Sequence, residues 1–580
     1  MLTYFSDEQI INHLCKERVK LAGLRDDHQY ISRLAGNQTE PQPNHSFYQL
    51  LPPRRLWSLY RPRHRPANKN PDLLALRNAV MDLRHQEPGQ RWDSELNHYI
   101  AGIRERVFGS QLFAFSPPTI NWELKKKDQH EYRALCRFDP SDNLILCLFA
   151  KYLRDMFDAQ FSSSSFAFRA RNSQGQMPTH HRAFTEIFNL KHNAPTRNLY
   201  VAECDIKGFF DTVDHEVALS VFRRAARRVN LHPRAEAIFR AYLSCYSFPF
   251  NVLAEAEPLL KRRDPDGYFK RPKTDPRRFS QEPRSLRIGV PQGGAISGVI
   301  ANLILNAADK RVERERDRLG AEIHYYRYCD DMILISPVKK HCQTAFNAYR
   351  RELDELKLAY HKPERTFIYG KRHWDHKSKA PYCWSGQHWF GCVPWVQFVG
   401  YQVRYDGLVR PRKESIAKQA AKLEKTTGQL KYRLMEASRE HPIIATRNQA
   451  KTSLKCKLVA QGVGRIKGEE SGPKPMCWAS GFKALHNKPF VSTALCFLDW
   501  TRWKQIRRFG GANIVYGLGR NSRGSNRRSP VGYAFSYHAQ FRNNGGQNLI
   551  VNPWRPVKIK DRLKCWLYQA VKWGWKGFVE

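Results

Sequence analysis

Two segments far apart in the chain each bring an aspartate to the end of a strand-like run, and this pair limits what the chain can fold into more than any other feature. The first is VAECDIKGFFDTVDH, an apolar run that delivers Asp205 and is followed by Phe209 and Phe210. The second is HYYRYCDDMILIS, where Tyr325 to Tyr328 and Met332 to Ile335 are β-rich and flank Cys329, Asp330 and Asp331. Asp is at home in tight turns, so the second segment predicts a β-hairpin with carboxylates at its tip. Between the two lies GVPQGGAISGVIANLILNAADKRVERERDRL, a glycine-rich turn running into a long amphipathic helix. Gly293 and Gly294 allow close backbone approach to a ligand, and Ile296, Ile300, Leu303 and Ile304 supply the stripe to be buried. Phosphoryl transfer needs two hard cations that clamp the attacking and leaving oxygens, and carboxylates on rigid strands are suited to hold them.

Charge names the partner class. The 580 residues hold 97 Lys and Arg against 54 Asp and Glu, a formal net charge of +43, with a pI near 10.0. Such an excess repels itself in a compact protein, and a polyanion is the compensating partner. With 41% hydrophobic and 12% aromatic residues the chain builds large cores and is no disordered tail. Its length implies three or four domains. The start, MLTYFSDEQIINHLCKERVK, carries charges among its apolar positions and lacks a signal-peptide run, and nowhere is there the stretch of roughly 18 apolar residues a membrane span requires. The 13 cysteines form no CxxC pair, and the spacing of Cys383 and Cys392 suits neither a zinc finger nor a redox motif. Reduced thiols in a cytoplasmic protein, with no membrane partner, are the expectation.

Along the chain, residues 1 to about 35 read as helical, with Ile10, Leu14, Leu21 and Leu24 at helical spacing. A Pro- and Arg-rich linker follows at about 38–72, and helical patterning returns at Leu73–Leu83 and Leu96–Val107. Strand-like and helix-like pieces alternate from about 120 to 405. Two basic, Pro-containing segments, 261–284 and 371–389, read as insertions in that region. Beyond it Ile416, Leu423 and Leu430 recur at sevens, with Leu454, Leu458 and Val459 after them. The Gly-, Asn- and Arg-rich tail ends with Trp566, Trp573 and Trp575. The expected domains are therefore an N-terminal extension (1–120), an α/β region (121–405), a helical region (406–510) and a basic C-terminal extension (511–580).

The motifs resemble those of reverse transcriptases of the group II intron and bacterial type. DIKGFFD is similar to that family's motif A, PQGG with ISGVIANL to motif B, and YCDD to motif C. LKLAYHKPERT is similar to motif D, FVGY to motif E, and FSSSSFAFRARNS (161–173) to its fingers motif. The resemblance covers about 130–510. It implies a right-hand polymerase: α/β fingers and palm with an antiparallel catalytic sheet, a helical thumb, and helical or irregular extensions at both ends. It also implies that Asp205 and Asp330 ligate two Mg²⁺ ions (Mn²⁺ being the alternative), with Asp331 in support and the Ile206 carbonyl completing one shell. Phe210 falls where the family places an aromatic beneath the sugar, to exclude a ribose 2′-hydroxyl. Gln292 and Gly293 would line the incoming nucleotide and template base, while Arg169 and Arg133 would meet the triphosphate or template. Arg365 stands where motif D usually has Lys, with Lys362 close by, and Arg is a poor proton donor. Ala167 and Ala170 replace the family's usual Gly and Pro. In LCFLDWTRWKQIRRFGG, Trp500 and Trp503 interleave with Arg502, Lys504, Arg507 and Arg508, a mixture suited to a groove that follows phosphates or, equally, to core packing by the tryptophans. Arg223, Arg224, Arg227 and Arg228 form a basic helix face that suits solvent and nucleic acid alike.

The function this implies is RNA-directed DNA synthesis from dNTPs by two-metal-ion nucleotidyl transfer. Its partners are an RNA template or an associated non-coding RNA and a DNA product, with a partner protein or a second copy of the chain left open. The preferred setting is bacterial antiphage defence. A group II intron maturase is the alternative, and a catalytically inactive RNA-binding polymerase fold is a third. The preference rests on the long N-terminal region, the two basic segments and the lack of a paired-cysteine endonuclease after the thumb.

Overall fold

The computed structural model describes residues 1–34, 49–62, 70–86, 89–126, 131–171, 176–253, 287–365, 368–386, 391–440, 447–462, 477–485, 488, 490–491 and 493–511. The described residues divide into two compact units, one of Met1–Leu24 with the residues from 49 to Val399, the other of Arg25–Leu34 with the residues from Gly400. The segment 261–284 and the tail with Trp566, Trp573 and Trp575 lie outside the described residues.

At the centre of the first unit is a five-stranded sheet. Its strands are β3 (Leu199–Cys204), β4 (His324–Tyr328), β5 (Asp331–Ser336), β6 (Lys379–Trp384) and β7 (Cys392–Val393), in the spatial order β4-β5-β3-β6-β7. All its pairs are antiparallel except β6–β7. The expected hairpin is present: β4 and β5 pair from His324↔Ile335 to Tyr328↔Asp331, leaving Cys329 and Asp330 as the turn. A two-residue hairpin loop needs positive φ, and Cys329 supplies it at 59°. β5 also pairs with β3, up to Cys204↔Met332, so Asp205 and Asp330 leave the sheet from neighbouring strands at the same end.

The segment 371–389 is no insertion. Lys371–Asp375 forms a short helix and Lys379–Trp384 is β6, paired along β3 in the middle of the sheet. Tyr382 pairs with Val201 and Lys379 with Glu203, so Ala380 and Pro381 together oppose Ala202. This is a β-bulge, one of the few places within a sheet that tolerates proline.

Helices cover the sheet. Ser297–Leu319 and Lys339–Glu355 pack on each other, and the latter lies on β3 and β5. Ile296, Ile300, Leu303 and Ile304 are buried, as their spacing predicts. The first turns of helix Asp7–Leu34, with helices Pro71–Gln86 and Arg91–Phe108, join the same apolar core: Phe5, Ile10, Leu14, Leu76 and Ile100 share one cluster with Leu146, Ile300 and Leu334. An antiparallel hairpin, β1 (Thr119–Lys126) and β2 (Glu131–Arg137), docks through the Cys136 N–H, which donates to the Gln292 carbonyl at 2.9 Å.

One buried ion pair joins helix to hairpin. Arg327 on β4 and Asp309 on the Ser297–Leu319 helix are both wholly buried. The guanidinium donates from Nε to Asp309 Oδ1 (2.7 Å) and from Nη2 to Oδ2 (2.6 Å). Its Nη1 donates to the Cys329 carbonyl (2.9 Å) and to Asn302 Oδ1 (3.2 Å). The Tyr325 hydroxyl completes Asp309 at 2.6 Å. Burial works against the charge on Arg327, and Asp309 more than offsets it.

In the second unit β9 (Tyr401–Arg404) and β10 (Val409–Pro411) form an antiparallel pair, β8 (Trp395–Phe398) belonging to the first unit. Helices Lys413–Glu440, Arg447–Gly462 and Thr493–Gly511 follow. Leu423, Leu430, Leu434, Leu454, Leu458 and Phe509 form their shared core; of the seven-residue recurrence Leu423 and Leu430 enter it, while Ile416 is buried outside that cluster.

The buried pair makes a test. Arg327→Met leaves Asp309 buried and uncompensated, and should lower the urea-unfolding stability by about 3–5 kcal/mol. Adding Asp309→Leu should restore much of that stability, because two apolar groups need no partner. If Arg327→Met is as stable as the parent, the pair does not organise this unit.

Candidate active site

The carboxylate of Asp205 lies beside two basic side chains, His361 within the motif D segment and Lys377 outside the motifs. Lys377 Nζ donates to Asp205 Oδ2 at 2.9 Å, and His361 Nε2 is 3.3 Å from the same oxygen. The Asp205 N–H donates to Ser378 Oγ at 2.9 Å. Lys377 and Ser378 arrive on the turn into β6, and His361 on the extended segment after Leu358. That segment runs along Asp205–Lys207: the His361 N–H donates to the Asp205 carbonyl (2.9 Å) and the Lys207 N–H to the Ala359 carbonyl (2.7 Å). Ile206 sits between them opposite Tyr360. In an antiparallel ladder such a residue turns its own N–H and C=O the other way, so the Ile206 carbonyl points away from Tyr360.

Asp330 is half-buried at the hairpin tip and Asp331, the first residue of β5, is exposed. Burial pushes the Asp330 carboxyl above the usual aspartate range, and the like charge of Asp205 adds to this. The Cys329 thiol and Lys377 pull the other way. The two carboxylates therefore feel each other across the end of the sheet. A donor set of two carboxylates and one carbonyl, all oxygen, fits hard divalent cations.

Motifs A and B meet beside this pair. The Gln292 amide donates to Asp211 Oδ1 at 2.8 Å, and the Val290 N–H to the Phe210 carbonyl at 2.7 Å. Phe210 is half-buried and packs edge-on against the buried Phe209. Gly293 holds φ of +88°, a conformation that suits glycine, with the Cys136 carbonyl over it.

Other sequence candidates are placed differently. Arg169 is nearly covered, and its guanidinium donates to Asp158 (2.8 Å) and to the carbonyls of Ser162 (2.7 Å) and Ser165 (2.8 Å), bracing the fingers turn. Arg133 is exposed on β2, and Lys362 and Arg365 are exposed beyond His361. In the second unit Trp500 and Trp503 are 40% and 44% exposed, which argues against core packing. Lys504 lies 4.7 Å over the Trp500 ring and Arg507 5.1 Å over Trp503, while Arg502 pairs with Asp499 and Arg508 faces solvent. On the outer helix Arg223 pairs with Glu236.

Sequence reading missed Lys377, His361 and Ser378. It also missed the buried Glu203, which takes Lys379 Nζ (2.6 Å) and the Tyr382 hydroxyl (2.5 Å) on β6. The one available signal was the density of Lys and His in 371–379.

The raised Asp330 has a consequence for stability. A carboxyl whose folded pKa exceeds its unfolded value destabilises the fold above that folded pKa, and not below the unfolded one. Without added metal, Asp330→Asn should therefore raise the melting temperature at pH 7. The gain should fade as the pH falls through the aspartate range. Equal melting temperatures at both pH values would contradict the charge repulsion described above.

A family model for reverse transcriptase (RNA-dependent DNA polymerase) matches residues 124–376, from β1 to the helix before β6. Among solved structures the chain is similar to apo telomerase from Candida tropicalis truncated from its C-terminal domain, at 13% identity, covering 59% of this chain and 68% of that one, with a TM-score of 0.30. A telomerase from Candida albicans in complex with a TWJ fragment of telomeric RNA gives 10% identity, 77% and 74% coverage and a TM-score of 0.29. A further apo telomerase structure from Candida tropicalis gives 13%, 71% and 63%, and 0.31. No curated protein matches the chain. No helix among the described residues is long and apolar enough to cross a membrane. Residues 124–376 are a reverse transcriptase domain, and the activity of that domain is RNA-directed DNA polymerisation, a nucleotidyl transfer for which the family generally uses divalent metal ions.

Proposed function

We propose that Asp205 and Asp330 hold two Mg²⁺ ions, with Mn²⁺ able to replace them, and that Asp331 and the Ile206 carbonyl complete their surroundings. The observation that carries this is the delivery of Asp205 and Asp330 from paired strands to the same end of the sheet, with the Ile206 carbonyl turned away from its neighbour. When bound, the ions supply Lewis-acid stabilisation of the attacking and leaving oxygens. Lys377 and His361 hold Asp205 in place and balance its charge until the ions enter. Phe210 forms the floor beneath the sugar and excludes a 2′-hydroxyl by shape. Gln292, fixed by Asp211, and the bare backbone of Gly293 line the nascent base pair. Arg133, Lys362 and Arg365 extend toward the triphosphate or template, and Arg169 keeps the fingers turn rigid beneath them.

The thumb-like helix Thr493–Gly511 follows a nucleic-acid backbone with Arg507, Arg508 and Lys504 while Trp500 and Trp503 pack on sugars or bases. The setting we propose is the bacterial cytoplasm, in antiphage defence, with a dedicated RNA bound and copied. The net charge of +43 and the N-terminal helices built into the polymerase core support a stable RNA complex.

DNA synthesis on a primed RNA template with dNTPs and Mg²⁺ tests the reading. Replacing Asp330 and Asp331 together by Ala should cut the rate by about a thousandfold or more, since metal stabilisation is worth several kcal/mol. RNA affinity should stay within about twofold, because it rests on Lys and Arg. Undiminished synthesis by that variant would refute the assignment.

A further inference from the structure

Phe168 combines three features that core packing does not explain. Its φ is +54°, a left-handed conformation that strains a residue with a bulky side chain. Its ring is 47% exposed, whereas Phe161, Phe166 and Ala167 around it are buried. And the ring rests in a notch cut for it: a Cβ at Gly298 would come within 2.5 Å of the Phe168 ring carbons.

The strain is held from several sides. Asn302 Nδ2 donates to the Ala167 carbonyl (2.8 Å) and the Phe168 carbonyl (3.4 Å), while Asn302 Oδ1 accepts from Ser165 Oγ (3.1 Å) and from Arg327. On the other side Arg169 grips the Ser162 and Ser165 carbonyls, and the Ala170 N–H donates to Asp158 at 2.7 Å. Asn302 and Asp158 thus bond the backbone on either side of Phe168, and what this backbone presents to solvent is an aromatic ring. Its location is specific. The notch is in the first turn of the helix that follows Gln292–Gly294, and Asn302 ties the turn to Arg327, which grips the carbonyl just before Asp330.

A strained, exposed, uncharged ring cannot take a phosphate. It offers one flat apolar face, and the partner that fits it is another flat face. We infer that Phe168 is a stacking platform for a nucleobase in the polymerase cleft. The inference rests on the polymerase reading above and adds a contact that this reading does not assign. The neighbouring Arg169 is engaged with Asp158, so the fingers turn meets nucleic acid through the ring and not through that cation.

The test uses the whole chain with a primed RNA template and photoactivated 5-iodouracil placed in one of three positions. These are the template strand, the primer 3′ end, or the incoming nucleotide as 5-iodo-dUTP, with adducts mapped by mass spectrometry. One arm should give an adduct on Phe168, and that arm identifies the strand whose base is stacked. Adducts on other cleft residues in all three arms, with none on Phe168, would overturn the inference and leave the polymerase standing. A chain with neither adducts nor synthesis would overturn both. In parallel, Phe168→Leu should lower kcat/KM for nucleotide addition about tenfold, the scale of one lost base–aromatic stack, while Phe168→Tyr stays near the parent. Should Phe168→Leu fail to fold, the adduct and the tyrosine variant still decide. Leu and Tyr variants both at parental kcat/KM would also refute it.

Discussion

The buried pair of Arg327 and Asp309 is the interaction on which the site depends. Two charges removed from water are costly unless every donor and acceptor is used. Here the guanidinium is divided among Asp309, Asn302 and the Cys329 carbonyl, and Asp309 also accepts from Tyr325. That division sets three things at once. The Ser297–Leu319 helix is locked to β4, the fingers turn is locked to the helix through Asn302, and Cys329 is held at the positive φ that aims Asp330 off the end of the sheet. A hydrophobic contact would join helix to strand as firmly, but it has no direction and would leave the turn carbonyl free to rotate.

Much of this was legible in the sequence because each motif is local. The β-rich runs around Asp330, the turn preference of Asp and the period of the helix after Gly294 each lie within a dozen or so residues, and the hairpin and buried stripe follow from them. The parts that were not legible depend on pairing across long stretches of chain. Lys377 and Ser378 reach Asp205 only because β6 pairs with β3, and no periodicity announces that register. Pro381 argued against a strand at all, since proline removes a ladder hydrogen bond. The bulge opposite Ala202 absorbs it, and bulges leave little trace in a single sequence. Arg169 illustrates the opposite case: a motif position suggested a ligand contact, while the fold places its guanidinium on Asp158 and two carbonyls.

Charge is arranged in two layers around the carboxylates. Farther from the reaction, Glu203 is matched by Lys379 and Tyr382 inside the sheet, so β3 carries its buried carboxylate without a deficit. At the rim, Asp205 is matched by Lys377 and His361, both partly exposed. Asp330 shares the charge of Lys377 but forms no ion pair among the described residues, and it is pushed toward its neutral form by burial and by Asp205. Incoming cations relieve that repulsion, so stability given up at the hairpin tip returns as affinity for the metal.

The chemistry of the site depends on where those cations bind. The direct measurement is anomalous X-ray scattering from crystals of the chain with a primed RNA template, a non-hydrolysable dNTP and Mn²⁺. It should show two manganese peaks, bridged by the carboxylates of Asp205 and Asp330, with the Ile206 carbonyl on one of them. Peaks elsewhere, or Lys377 still seated on Asp205 with the nucleotide bound and no metal beside it, would contradict it.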